Sequence, residues 1–159
     1  MTIKGGKEIV DALNEILTGE LTSVNQYFLH ARMYGNWGYE RLEGKIHAES
    51  IDEMKHADKL IERVLYLEGL PNVQRLGRIR IGEHPREMLE CDLALEREAI
   101  PRLNAAIALC REKGDNGTRV MLEAILESEE THLDWLETQL GLMERLGDTA
   151  YLAEQVKED

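Results

Sequence analysis

Apolar residues recur at helical spacing in four blocks along the chain. The first spans about Gly6 to Tyr34, with Ile9, Leu13, Ile16, Leu17, Leu21, Val24 and Phe28 on one stripe. Gly35-Asn36-Trp37-Gly38 interrupts it. The second spans about Tyr39 to Glu68 through Ile46, Ala57, Leu60, Ile61, Val64 and Leu67, and Gly69-Leu70-Pro71-Asn72 stops it. The third opens at His84-Pro85, with proline at a favoured first-turn position, and continues through Leu89, Leu93, Ile100, Leu103 and Ile107 to Lys113. Gly114-Asp115-Asn116-Gly117 reads as a turn. The fourth spans about Thr118 to Leu146, with Leu122, Ile125, Leu136, Leu140 and Met143. A short fifth helix is expected over 149–156, all within a single domain over 1–159.

Connection lengths turn these helices into a topology. Two tight turns make helices one and two antiparallel, and likewise three and four. The link from Gly69 to Gly82 is 14 residues, able to span roughly 46–50 Å when extended. A helix of 28 residues is about 42 Å long. The link can therefore run the length of the bundle and make helices two and three parallel. The expected fold is an all-α four-helix bundle with one long crossover between helices two and three. Pro101 lies inside the third pattern, where it removes a hydrogen bond and crowds the carbonyl of Arg97. A kink rather than an end is expected, because the apolar spacing continues beyond it.

Each apolar stripe is broken by charged residues. Glu20 sits among Ile16, Leu17, Leu21 and Val24, and Glu96 among Leu89, Leu93, Ile100 and Leu103. Glu129 and His132 lie between Ile125 and Leu136, and Glu53 and His56 share a face with Ala57, Leu60 and Val64. Buried carboxylates need partners or must be neutralised, and a metal ion is a natural partner for several at once. The spacing is repeated: Glu20 to Glu53 and Glu96 to Glu129 are both 33 residues, and the second half follows the first at an offset of 76. Chance alone yields roughly 0.7 Glu-x-x-His pair in such a composition, so the motif alone says little. Matched spacing on apolar faces says much more. Two hairpins related by a pseudo-two-fold would gather Glu20, Glu53, His56, Glu96, Glu129 and His132 about one point. Mixed carboxylate and imidazole ligation suits iron or manganese and argues against a structural zinc site.

Composition fits this picture. Charged residues make up 31% and hydrophobic ones 43%, and the net charge is −12. So acidic a surface repels phosphate backbones, so no nucleic-acid partner is expected. The longest apolar run, Ala105 to Cys110, is too short to span a bilayer, and Met1 to Asp11 contains no signal-like stretch. Cys91 and Cys110 fall roughly 28 Å apart on one helix, beyond disulfide reach. Free thiols in a reducing cytoplasm are expected.

Four strings bring in a resemblance: Asn25–Met33 (NQYFLHARM), Glu49–Asp58 (ESIDEMKHAD), Leu67–Asn72 (LEGLPN) and Leu133–Leu140 (LDWLETQL). In these the chain closely resembles the bacterioferritins, over essentially its whole length. The resemblance implies the ferritin-like fold, a hollow 24-subunit shell storing a ferric mineral, and a di-iron ferroxidase centre in each subunit. Glu20 and His56 would bind one iron, Glu96 and His132 the other, with Glu53 and Glu129 bridging. Dioxygen or hydrogen peroxide would accept the electrons of Fe(II). The same six groups could serve a di-iron or di-manganese oxidase that stores nothing, and surface glutamates on a helical scaffold are a third reading.

The resemblance also implies haem b shared between two subunits, with Met54 as an axial ligand and Leu21, Asn25 and Phe28 near it. By spacing alone a methionine there reads as core or interface filler. A small ferredoxin would deliver electrons for iron release, and the resemblance allows a shell mixed with a second ferritin subunit. Tyr27 and Trp135 fall near the metal groups, as electron donors or as core and interface aromatics. His30, His47 and His84 have no counterpart in the repeat and read as structural or exposed. Many relatives have a histidine one turn before the position of Asp52, giving an inner-surface iron site. Here that position is Ala48, so this accessory site is in question.

Overall fold

A computed structural model describes residues 6–157; the first five and last two residues of the expected domain lie outside the described residues. Helices α1 (Lys7–Asn36), α2 (Glu40–Tyr66), α3 (Pro85–Lys113), α4 (Asn116–Leu146) and α5 (Asp148–Ala153) follow in order, and no strand occurs among the described residues. α1 packs mainly on α2, α3 on α4, and α1 on α3. This is the expected four-helix bundle with a short fifth helix.

The helix ends differ from the sequence reading in instructive ways. α1 runs through Gly35, and the left-handed backbone comes only at Gly38, φ 89°. Gly35 stays helical, and its bare Cα lets Glu43 of α2 approach; a Cβ there would lie 2.1 Å from Glu43 Oε2. α4 starts earlier than expected because Asp115 caps it, accepting the Thr118 amide at 3.1 Å. Gly114, φ 75°, closes α3 in the left-handed region. His84 caps α3 through Nδ1. Pro101 is exposed, and α3 continues through it to Lys113.

The crossover between α2 and α3 has no regular structure, so its backbone groups need other partners. Side chains spaced in multiples of four along α1 supply them. Asn14 accepts the Asn72 amide at 2.9 Å and donates to the Leu70 carbonyl at 3.1 Å. Thr22 Oγ1 accepts from Gly77 at 2.8 Å, Gln26 Oε1 from Arg80 at 2.9 Å, and His30 Nε2 from Gly82 at 3.1 Å. His30 is therefore structural. Its Nδ1 carries the proton and donates to Asp92 Oδ1 at 2.8 Å, where Gln26 also donates at 2.9 Å.

The apolar interior falls into two blocks. One joins Leu13 and Leu17 of α1 to Leu60, Leu103 and Leu122. The other joins Tyr27 and Tyr34 of α1 to Ile46, Leu89, Leu136 and Tyr151. Between them, at residues 20, 53–56, 96 and 129–132, the four long helices contribute a buried polar layer.

Candidate metal centre

All six charged residues singled out by the repeat meet in that layer, and all are buried. Each long helix presents its glutamate inward where the apolar stripe would otherwise place a leucine. The Glu-x-x-His spacing puts each histidine one turn beyond the glutamate on the same face. Ligand-type atoms of Glu20, Glu53, His56 and Glu129 all lie within 4.8 Å of one another, as do those of Glu53, Glu96 and His132. Glu53 belongs to both groups. Glu129 also reaches both sides: it stands 3.0 Å from His56 Nδ1, and its carboxyl lies beside that of Glu96.

The arrangement is far from satisfied by the protein's own hydrogen bonds. Glu20 Oε2, Glu53 Oε2, Glu96 Oε2, Glu129 Oε1, His56 Nδ1 and His132 Nε2 are buried without a hydrogen-bond partner. The short contact of His56 with Glu129 is an ion-pair distance at an angle that makes no hydrogen bond. Native interiors rarely tolerate so many orphaned polar atoms. Six pointing into one region, from acceptor-rich and lone-pair-bearing groups, match a site for cations.

Electrostatics agree. Burial pushes the Glu20 and Glu129 carboxyls up, and takes Glu96 well above the usual range with the Glu129 carboxyl beside it. Burial would lower His56, but the Glu129 and Glu20 carboxylates outweigh it and push the imidazole up to about 10. Burial opposes protonation of His132 too, and the Glu96 carboxylate reverses this and raises it. With only its own groups, the layer holds extra protons. A divalent cation would take their place.

Two aromatic residues flank the second half. Tyr27, fully buried, donates a short hydrogen bond from its hydroxyl to Glu96 Oε1 and stands edge-on to His132, ring centroids 5.2 Å apart. Trp135 stacks on His132 at 6.3 Å. Sequence reasoning missed Glu49. It is buried, and bridges Lys45 at 3.0 Å and His132 at 3.5 Å. Its position one turn before Glu53 and one turn after Lys45 was the available signal. Ala48 is exposed, and Asp52 joins no cluster of potential metal-binding groups among the described residues.

Comparison with known proteins fits this geometry. The ferritin-like domain family matches residues 10–146. A bacterioferritin of Mycobacterium bovis is 49% identical over 97% of each chain. One of Mycolicibacterium paratuberculosis is 51% identical over the same shares. The chain belongs to the bacterioferritins. One from Streptomyces coelicolor, 46% identical, aligns over 98% of this chain and 93% of its own.

Outside the polar layer, Met54 of this bacterioferritin chain points away from the bundle, as its position one residue from Glu53 requires, and is 48% exposed. Phe28, Ile51 and Leu65 are exposed on the same stripes of α1 and α2, and His47 packs against Phe28. Cys91 and Cys110 are free thiols. No helix among the described residues is long and apolar enough to cross a membrane.

Proposed function

We propose that this chain stores iron and oxidises Fe(II) to Fe(III) at the buried layer between its two apolar blocks. The observation that carries this reading is the pair of overlapping carboxylate and imidazole groups with orphaned atoms facing one another. Glu20 and His56 would hold one iron, Glu96 and His132 the other, and Glu53 and Glu129 would be shared between them. Four carboxylates balance two Fe(II) ions in charge. Each Fe(II) gives up one electron, and dioxygen or hydrogen peroxide takes the pair. The protein holds both metals near one oxidant and keeps bulk water out. Similarity to the bacterioferritins supports assembly as a 24-subunit cytoplasmic shell around a ferric mineral.

The reading includes haem b between two subunits. Met54 offers a thioether beside exposed Ile51, a donor and apolar wall that would suit haem iron. Held there, haem would supply one-electron chemistry for reducing stored iron. Anaerobic Fe(II) loading followed by air tests the ferroxidase: Glu20→Ala and Glu96→Ala should oxidise iron at least about tenfold more slowly. Rates equal to the parent's would remove the di-iron reading. A native particle the size of a monomer or dimer would favour an oxidase that stores nothing. Met54→Leu should abolish or change the haem absorption spectrum, and an unchanged spectrum would overturn that assignment.

A further inference from the structure

The chain has a net charge of −12, yet four arginines converge on one groove between α1, the crossover and α3. Arg75, Arg78, Arg80 and Arg102 line a cavity of about 140 Å³ there. Two are already engaged. Arg75 grips Glu15 with two hydrogen bonds of 2.6 and 3.2 Å, and Arg80 reaches Glu98 at 2.8 Å. Among the described residues, Arg78 has no hydrogen-bond or ion-pair partner. Arg102 has none either, and its charge reaches Glu20 through space. Gly19 explains why Arg102 can lie so close to α1: a Cβ at that position would fall 2.4 Å from Arg102 Nη1.

An independent observation in the same cavity points to a ligand. Thr18 lines it and is only 6% exposed, and its Oγ1 is buried with no hydrogen-bond partner. The next threonine along the helix face is different. Thr22 Oγ1 donates to the Thr18 carbonyl at 2.6 Å and accepts from Gly77. A buried hydroxyl left unmet is costly, so a missing hydrogen-bond partner is implied, and an acceptor would serve. Two uncommitted guanidiniums donate and the hydroxyl can donate too, while the Glu15 and Glu98 carboxylates on the same lining are paired with Arg75 and Arg80, a set that suits an oxyanion. The volume accommodates a tetrahedral ion with a few waters of about 30 Å³ each. It is well below the ~300 Å³ at which pockets for larger organic ligands begin.

We propose that this cavity binds one inorganic phosphate, held by Arg78, Arg102 and the Thr18 hydroxyl and framed by the ion-paired Arg75 and Arg80. Guanidinium groups meet phosphate oxygens with paired, charge-assisted hydrogen bonds. The anion would rest against the backbone at Gly19, one residue before Glu20. The proposal does not depend on the metal reading, because binding is measured with no iron added.

Isothermal titration of the full-length protein with inorganic phosphate at low salt should give saturable binding of about one phosphate per chain. Arg78→Gln and Arg102→Gln should each weaken it about tenfold, as expected for a charged hydrogen-bond partner. Thr18→Val should weaken it several-fold while thermal unfolding shows the protein still folded. Arg86→Gln, at a separate site where Arg86 pairs with Asp148 at 3.1 Å, should leave binding unchanged. Adenosine triphosphate should compete poorly. Absence of saturable binding, parental affinity in both Arg78→Gln and Arg102→Gln, or tighter binding of the nucleotide than of phosphate would overturn the proposal.

Discussion

The two hairpins of the bundle repeat one another at an offset of 76 residues, yet their contributions to the buried layer are built differently. In the first, His56 is slightly open to solvent and stands among three carboxylates, at 3.0 to 3.6 Å from Glu129, Glu53 and Glu20. In the second, His132 is closed in by Tyr27, Trp135 and Glu49. The repeat places Leu103 opposite Tyr27, so no matching hydroxyl reaches Glu20. Equal spacing in the sequence thus yields equal placement of the inner groups and unequal surroundings. Under the proposed function, the two metals would sit in unlike environments: one nearer solvent and the cavity beside Gly19, the other supported by aromatic rings.

The largest expected effect breaks both halves at once. Glu53 belongs to both ligand groups, so Glu53→Ala should reduce Co(II) binding, a probe that does not oxidise under these conditions, from two ions per chain to less than one. Glu20→Ala should leave one, because the set around Glu96 and His132 survives. If Glu53→Ala still binds two ions, Glu53 is not shared.

Tyr27→Phe tests the asymmetry directly. It removes the hydrogen bond to Glu96 and keeps the ring against His132. Loss of such an outer partner commonly costs 10–100-fold in affinity or activity. Iron oxidation should slow about tenfold, with Co(II) stoichiometry still at two. A variant as fast as the parent would make Tyr27 a packing residue only.

These contrasts mark how far the sequence could be read. The six inner groups were legible because burial on an apolar stripe and the doubled spacing are both sequence patterns. Their surroundings were not. Asp92 is fully buried and tied to His30 and Gln26, but it lies 62 residues from His30, and no local spacing links them. Glu49 looked like one more charge on a helix rich in them. The groove arginines come from the irregular crossover and from α3, which only the folded chain brings together. Helix ends near glycine were misplaced for a related reason. Gly35 lies inside α1 and leaves room for Glu43, so a glycine there marks no turn.

A smaller, graded effect concerns pH. Glu20, Glu96 and Glu129 have folded-state values above the ordinary carboxylate value, and His56 and His132 above the ordinary imidazole value. The folded chain therefore holds more protons than the unfolded one. The associated stability is complete below the unfolded values, near 4.5 for the carboxyls and 6.5 for the imidazoles, and is lost as pH rises, through about 10 for His56. Without metal, the melting temperature should fall from pH 5 to pH 10. Divalent metal should reverse the trend, since its binding displaces those protons. His56→Gln should flatten the alkaline part of the metal-free curve. A curve of parental slope in that variant would place the extra proton elsewhere in the layer.

The smallest difference lies at the two hairpin turns. Each has a glycine within a helix end that sits against a charged side chain of another helix. At Gly35 the neighbour is the carboxylate end of Glu43, whose link to Arg32 is a loose 3.8 Å. Glu43 can swing away at little cost, so Gly35→Ala should stabilise by about 0.5 kcal/mol from helix propensity alone. At Gly117 a Cβ would lie 2.6 Å from Arg63 Nη2. Arg63 is committed there: its Nε donates to Thr118 Oγ1 at 2.9 Å, and its Nη2 lies 3.4 Å from the Asp115 cap. Displacing it loosens both the cap and the α2–α4 contact, a cost of about 1 kcal/mol that outweighs the propensity gain. Thermal melts of Gly35→Ala and Gly117→Ala should therefore shift in opposite directions. Equal shifts would mean that Arg63 is no better anchored than Glu43, and that the second turn is as permissive as the first.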